Sequence, residues 1–178
     1  MTLSPALLVA TARGLVGRRD SITATAFIHD VGHASHLNDL TRESRWPLPK
    51  VDTPDELWHL AEARAIGSCR CPTEGELYVS WSPTRRLFTH AGIVAMCVGV
   101  GTFKDGARYF LCVTIEGDTS ANGSTGGGGI NRVTRRLSPD RGDRFVRWVD
   151  LDGRRFATPV PEWEQCAALM EAAAPRAA

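Results

Sequence analysis

The chain has 178 residues, 43% of them hydrophobic and 23% charged, and a formal net charge of +1 at pH 7. That length suits one domain built on a single core, and that composition excludes an intrinsically disordered chain. A charge so close to neutral gives no general electrostatic case for nucleic acid, and no apolar run approaches the roughly 20 residues needed to cross a bilayer.

The first stretch, Met1 to Gly17, groups Leu7, Leu8 and Val9 with Leu15 and Val16 further on. It lacks a basic start and a clear cleavage site, and Arg13 interrupts its apolar run. It therefore reads as a first helix ending near Gly14 or Gly17 and not as a signal peptide. A second helix is expected from about Thr23, where Ala24, Phe27, Ile28, Val31 and Ala34 recur at three- and four-residue spacing. Trp46-Pro47-Leu48-Pro49 cannot be helix interior and reads as a loop. A third helix has an explicit start. Thr53 caps it, Pro54 fits its first position and Glu56 completes a T-x-x-E capping box, with Gly67 as the stop.

The period then changes. Leu77, Val79 and Trp81 alternate with Glu76, Tyr78 and Ser80, which is a strand pattern. Ile93 to Val100 and Tyr109 to Ile115 are apolar and β-branched enough for buried strands, and Ile130 to Thr134, Arg144 to Val149 and Arg154 to Ala157 are shorter candidates. Turn residues such as Lys104-Asp105-Gly106 and Asp152-Gly153 separate them. Pro161 to Ala174 is expected as a closing helix. The glycine run Gly126 to Gly129 lacks the ending of a phosphate loop and reads as a hairpin loop. Helices followed by closely spaced strands predict an α+β fold over residues 1–178, with the N-terminal helices packed on an antiparallel sheet of about five to six strands.

Five cysteines, Cys69, Cys71, Cys97, Cys112 and Cys166, are odd in number and irregular in spacing, so they form no disulfide framework. Cys69 and Cys71 make C-x-C, with no second pair at zinc-ligand spacing. Cys97 and Cys112 fall inside strand patterns and read as core residues. A reduced place of synthesis fits this usage.

One segment points to a metal. His29-Asp30-Val31-Gly32-His33 places two histidines four apart on one helical face, as in the H-D-x-G-H element of HD-type phosphohydrolases or the H-E-x-x-H helix of zinc peptidases. The first pattern requires an earlier histidine, and none precedes His29. The second requires glutamate where Asp30 stands, and the shorter carboxylate reaches a metal-bound water poorly. Solvent-facing histidines on the second helix are the simpler reading, and neither a metal nor a cofactor is expected.

Three further blocks carry a resemblance. Gly75-Glu76-Leu77-Tyr78-Val79 is similar to a "GDLVFF" strand, and His90-Ala91-Gly92-Ile93-Val94-Ala95 to an "HVGIV" strand. Thr114-Ile115-Glu116-Gly117-Asp118-Thr119-Ser120, running on to Gly127 through Arg135, is similar to an "EGNTS…GGGV..RTR" segment. In this order and spacing the blocks, over residues 75–136, resemble papain-like cysteine hydrolases of the NlpC/P60 and CHAP group, which cut cell-wall amides. The resemblance implies a papain-like α+β domain. It also implies a nucleophilic cysteine at the start of an early helix, three residues before an aromatic. Phe27-Ile28 fits that pattern, and the cysteine position is then Ala24. Alanine there marks either a replaced nucleophile or a natural non-catalytic relative, and the presence of both His90 and Glu116 favours replacement.

The implied chemistry is acyl transfer. A thiol at a helix N-terminus has its pKa lowered by the helix dipole. His90 takes and returns the proton, and Glu116, or failing that Asp118, orients the ring. Both acids would face His90 if Gly117 lies flat between them. Thr23, Trp81 and Arg132 are the implied substrate contacts. The implied substrate is peptidoglycan or a muropeptide, cleaved as an amidase or an endopeptidase. Phage, secretion or immunity partners and release into the periplasm or wall after synthesis in the cytoplasm follow from the same resemblance.

Overall fold

The computed structural model describes residues 4–19, 22–36, 46–68, 71–120 and 122–148. The expected strand at 154–157, the closing helix at 161–174, Cys69 and Cys166 lie outside these residues.

Three helices form where their capping signals stand. In α1 (Pro5–Arg13) Ser4 Oγ accepts the Leu7 N–H, and Gly14 closes the helix. In α2 (Ala24–Ser35) Thr23 is the cap and its Oγ1 accepts the Ala26 N–H. In α3 (Pro54–Ala63) both halves of the Thr53–Glu56 capping box are made. α3 stops before Gly67, which instead opens a strand. A Cβ at Gly67 would stand 2.5 Å from the Trp58 ring, so the glycine there serves the close approach of an indole.

Six strands follow: β1 (Gly67–Ser68), β2 (Leu77–Ser82), β3 (Leu87–Thr102), β4 (Arg108–Thr119), β5 (Gly129–Leu137) and β6 (Arg144–Val146). They pair antiparallel in the order β1-β6-β2-β3-β4-β5, which makes the fold α+β with its helices at the N-terminal end. A 3-10 turn, Pro139–Arg141, joins β5 to β6. This joint carries β5, at one edge, to β6, on the far side of β2. Phe110 of β4 and Phe145 of β6 accordingly lie 6.1 Å apart between ring centroids. In a flat sheet three strand spacings would hold them about 14 Å apart. The sheet therefore curls, with one face concave.

Alternation sorts the side chains. Leu77, Val79, Ala91, Ile93, Val113 and Ile115 face the helices and share one core with Leu8, Phe27, Ile28, Val31 and Leu57. Tyr78, Val94, Phe110, Cys112, Leu137 and Phe145 fill the concave side. Each large apolar side chain so buried stabilises the fold by about 1.5–3 kcal/mol.

Two features of the sheet set up the site. β3 is longer than its apolar run, reaching back to Leu87 and drawing His90 into the strand, because pairing with β2 supplies hydrogen bonds that sequence hydrophobicity does not report. The β3–β4 ladder, however, ends at Ile93↔Ile115. Beyond that point β3 pairs with β2, at Ser80↔His90, and β4 pairs with β5, at Glu116↔Asn131. The two central strands thus part at His90 and Glu116.

Candidate functional site

At this split His90 and Glu116 meet. His90 Nε2 lies 2.8 Å from Glu116 Oε2, and both residues are buried, at 6% and 0% exposure. Glu116 accepts four further hydrogen bonds. Arg135 of β5 grips it with two, Nε to Oε1 at 2.8 Å and Nη2 to Oε2 at 2.5 Å. The Tyr78 hydroxyl and the Thr114 hydroxyl each donate to Oε1 at 2.5 Å. Gly92 is needed beside them, because a Cβ there would stand 2.7 Å from the Tyr78 ring and 2.8 Å from Glu116 Cγ.

Burial alone would push the Glu116 carboxyl upward, and it is the largest single influence. Hydrogen bonds from Arg135 and His90, with their charges, outweigh it and hold the group down at about 2. Glu116 in turn raises the Arg135 guanidinium. Tyr78 is pushed well up, first by burial and then by the Glu116 charge, so it stays a donor. An ionised Glu116 can only accept, so Nε2 of His90 carries the hydrogen between them. A neutral ring then keeps its lone pair on Nδ1, which has no hydrogen-bond partner among the described residues.

The start of α2 lies against the same place. A Cβ on Gly117 would stand 2.5 Å from Phe27 Cβ and 3.3 Å from the Thr23 carbonyl oxygen, so the first turn of α2 rests on the residue next to Glu116. Thr25 Oγ1 anchors that turn from the other side by donating to the Asp52 carbonyl at 3.0 Å. Ala24 is buried between these anchors, in the helix-side core. The amides of Ala24 and Thr25 precede the first intrahelical bond, Phe27 N–H to Thr23 O, and are orphan donors at the positive end of the helix.

The remaining sequence candidates fall differently. Asp118 takes φ +56° at the β4–β5 irregularity, its Oδ1 accepts the Gly128 N–H at 3.3 Å, and its carbonyl holds Gly126. Near the end of β4 it ties down the glycine loop, and Glu116 is the acid that meets His90. Thr23 is at the site but as the helix cap. Trp81 packs edge-on to Phe88 at 5.2 Å, on the helix side of β2. It also lines a cavity of about 570 Å³ with Phe103, Arg136 and Arg141. Arg132 is exposed on β5, opposite Ile115 and so on the face turned from Glu116. His29 and His33 stack at 4.2 Å on α2, Asp30 is 66% exposed beside His29, and no group of three or more potential metal ligands forms among the described residues.

Arg135 and Tyr78 are the residues that sequence reasoning missed. In the sequence Arg135 stood only at the end of the third block and Tyr78 only in the first block and its strand alternation. Their signal was available only through register, since Arg135 is the ladder partner of Cys112 and Tyr78 that of Gly92. No family model, curated protein or solved structure matches the chain. No helix among the described residues is long and apolar enough to cross a membrane.

Proposed function

We propose that the chain is a papain-like cysteine peptidase or amidase domain directed at amide bonds of peptidoglycan, with residue 24 as its nucleophile position. The observation that carries this reading is the buried Glu116–His90 pair at the parting of β3 and β4, with the first turn of α2 seated on Gly117, the residue next to Glu116.

With cysteine at position 24 the chemistry runs as follows. The thiol passes its proton to His90 Nδ1, the nitrogen that Glu116 leaves open, and the thiolate is favoured by the helix N-terminus. The sulfur attacks the amide carbonyl, and orphan amides of the first turn face the developing oxyanion. The imidazolium, stabilised by Glu116, returns its proton to the leaving amine as the C–N bond breaks. Water activated by the same ring then hydrolyses the thioester. With Ala24 in place no thioester forms, and the domain binds substrate without turning it over. A wall-binding module of the same fold is the second reading, favoured by Ala24 itself. Either role is exercised in the periplasm or wall.

The test is Ala24→Cys assayed on purified sacculi. Soluble muropeptides are expected from Ala24→Cys and not from the parent chain or from Ala24→Cys combined with His90→Ala. A folded Ala24→Cys protein with a reduced thiol that releases nothing would remove the hydrolase reading.

A further inference from the structure

The cavity of about 570 Å³ that Trp81 lines takes no part in the chemistry above, yet it adjoins the site. Ser80, another of its walls, is the ladder partner of His90. Directly opposed residues have Cα atoms about 4.5–5.5 Å apart and side chains on one face of the sheet. The volume falls in the range of small-molecule sites, about 300–1,000 Å³.

Two guanidiniums reach this cavity, each held by an aromatic ring. Arg136 of β5 lies over Tyr109 at 5.3 Å, Tyr109 packs on Phe103 at 4.7 Å, and Arg141 lies over Phe103 at 3.7 Å. Gly101 leaves room for this stack, since a Cβ there would stand 2.5 Å from the Tyr109 ring. Another wall is fixed by the buried Asp143. One of its oxygens accepts the Ser80 hydroxyl at 2.9 Å and the Trp81 N–H at 3.0 Å, and the other accepts the Ser138 N–H at 2.8 Å.

The walls select their ligand. The hydroxyl hydrogens are spent, that of Ser80 on Asp143 and that of Ser138 on the Arg108 carbonyl. The side-chain polar hydrogens left belong to Arg136, Arg141 and the Trp81 indole, so the ligand is an acceptor. Charge narrows the choice. Arg141 is paired with Asp105 at 2.7 Å, and Arg144 sits against Asp143, donating to its carbonyl at 2.9 Å. Arg136 makes no ion pair or hydrogen bond among the described residues, and its one contact is the Tyr109 ring. One uncompensated cation matches one singly charged anion, and a planar guanidinium matches a carboxylate with two parallel bonds. Trp81 and Phe103 supply apolar wall for the atoms behind it.

We propose that this cavity is a subsite for the free carboxylate terminus of a peptide. The preference for a carboxylate rests on the walls alone, whereas assigning the peptide to the stem of peptidoglycan rests on the hydrolase reading above.

The test titrates the full parent chain, whose Ala24 forms no thioester, with N-acetyl-D-alanyl-D-alanine and with its terminal amide. Two-dimensional NMR follows the Trp81 indole N–H, which Trp81→Phe assigns among the five tryptophans. The acid is expected to shift this resonance to saturation, and the amide to bind more weakly by about tenfold or more. Arg136→Gln is expected to weaken the acid by about tenfold or more, whereas Arg13→Gln, which removes an exposed charge on α1, leaves its affinity unchanged. Equal binding of acid and amide, tighter binding of inorganic phosphate than of the acid, or an unchanged affinity in a folded Arg136→Gln protein would overturn the proposal. The L,L acid separates the sources of the carboxylate. Tighter binding of the D,D acid supports a wall peptide, and tighter binding of the L,L acid would overturn that assignment. An Ala24→Cys protein that releases nothing from sacculi removes the hydrolase reading and leaves the outcome of the titration unaltered.

Discussion

Replacing Glu116 with glutamine keeps the side chain's size and removes its charge. Glu116 is fully buried, and its carboxyl is held at about 2 against an ordinary value of 4.5. At about 1.4 kcal/mol per pH unit, the difference between those values corresponds to about 3 kcal/mol of stabilisation at neutral pH. A separate argument reaches a similar figure. Removing one member of a buried ion pair costs about 3–5 kcal/mol, because the other charge is left uncompensated. The Arg135 side chain keeps 25% exposure, so the lower end applies. For a chain of this length about 3 kcal/mol lowers Tm by about 6–12 °C. The sign with pH follows from the direction of the shift. The folded-state value lies below the unfolded one, so the contribution is fully present above pH 4.5 and is lost as pH falls toward 2. Urea unfolding of the parent and Glu116→Gln proteins, followed by circular dichroism in steps from pH 7 to pH 3, measures both quantities. The gap between the two proteins should narrow below about pH 4.5. A gap under about 1 kcal/mol at pH 7, or one that stays constant to pH 3, would refute the claim that a charged Glu116 organises the network.

Two further outcomes follow from the same geometry. Gly117→Ala places a Cβ 2.5 Å from Phe27 Cβ, so α2 must move. Thermal melts should show a loss of about 1–3 kcal/mol, and turnover by the Ala24→Cys protein should fall at temperatures where both variants are folded. Unchanged turnover would detach the seat of α2 from the site. His36 ties α1 to α2, because its Nε2 accepts the Ser4 N–H at 3.1 Å while Nδ1 sits 3.1 Å from the Gly32 carbonyl. Burial foremost lowers its pKa, with the Gly32 carbonyl opposing, so its contribution is present above pH 6.5 and is lost as pH falls through the lowered value. Amide exchange in α1, corrected for intrinsic rates, should therefore speed up on acidification. Protection that is flat with pH would count against this role.

Local chemistry made much of the architecture legible. Capping residues sit within a few positions of the chain they cap, so Thr23 and the Thr53–Glu56 box marked the starts of α2 and α3 correctly. The period of two along Leu77, Val79 and Trp81 located β2. The ends of β3 and the two-residue β1 were hidden because pairing partners, not local hydrophobicity, extend or create such strands. His90 and Glu116 were readable as a pair from their block spacing. The grip of Arg135 and the hydroxyls of Tyr78 and Thr114 depend on ladder register between β2, β3, β4 and β5, which no local pattern encodes. Asp118 shows the same limitation in reverse. Alternation would turn it toward His90, but its left-handed backbone and the irregularity between Glu116 and Thr119 turn it into the glycine loop.

The cost of the network bears on its purpose. Carboxylate, phenol and imidazole have been taken from water at the sheet's concave side, and the guanidinium partly so, where apolar residues of the same volume would stabilise the fold as well or better. Such a cluster is a weak source of stability, yet both carboxylate oxygens of Glu116 are satisfied, and Gly92 makes room for it beside the split. The outcome of all this is narrow. One imidazole nitrogen is committed to an ionised carboxylate, and the other has no hydrogen-bond partner among the described residues. Packing requires none of these arrangements, whereas the proposed general-base role of His90 uses both ring nitrogens.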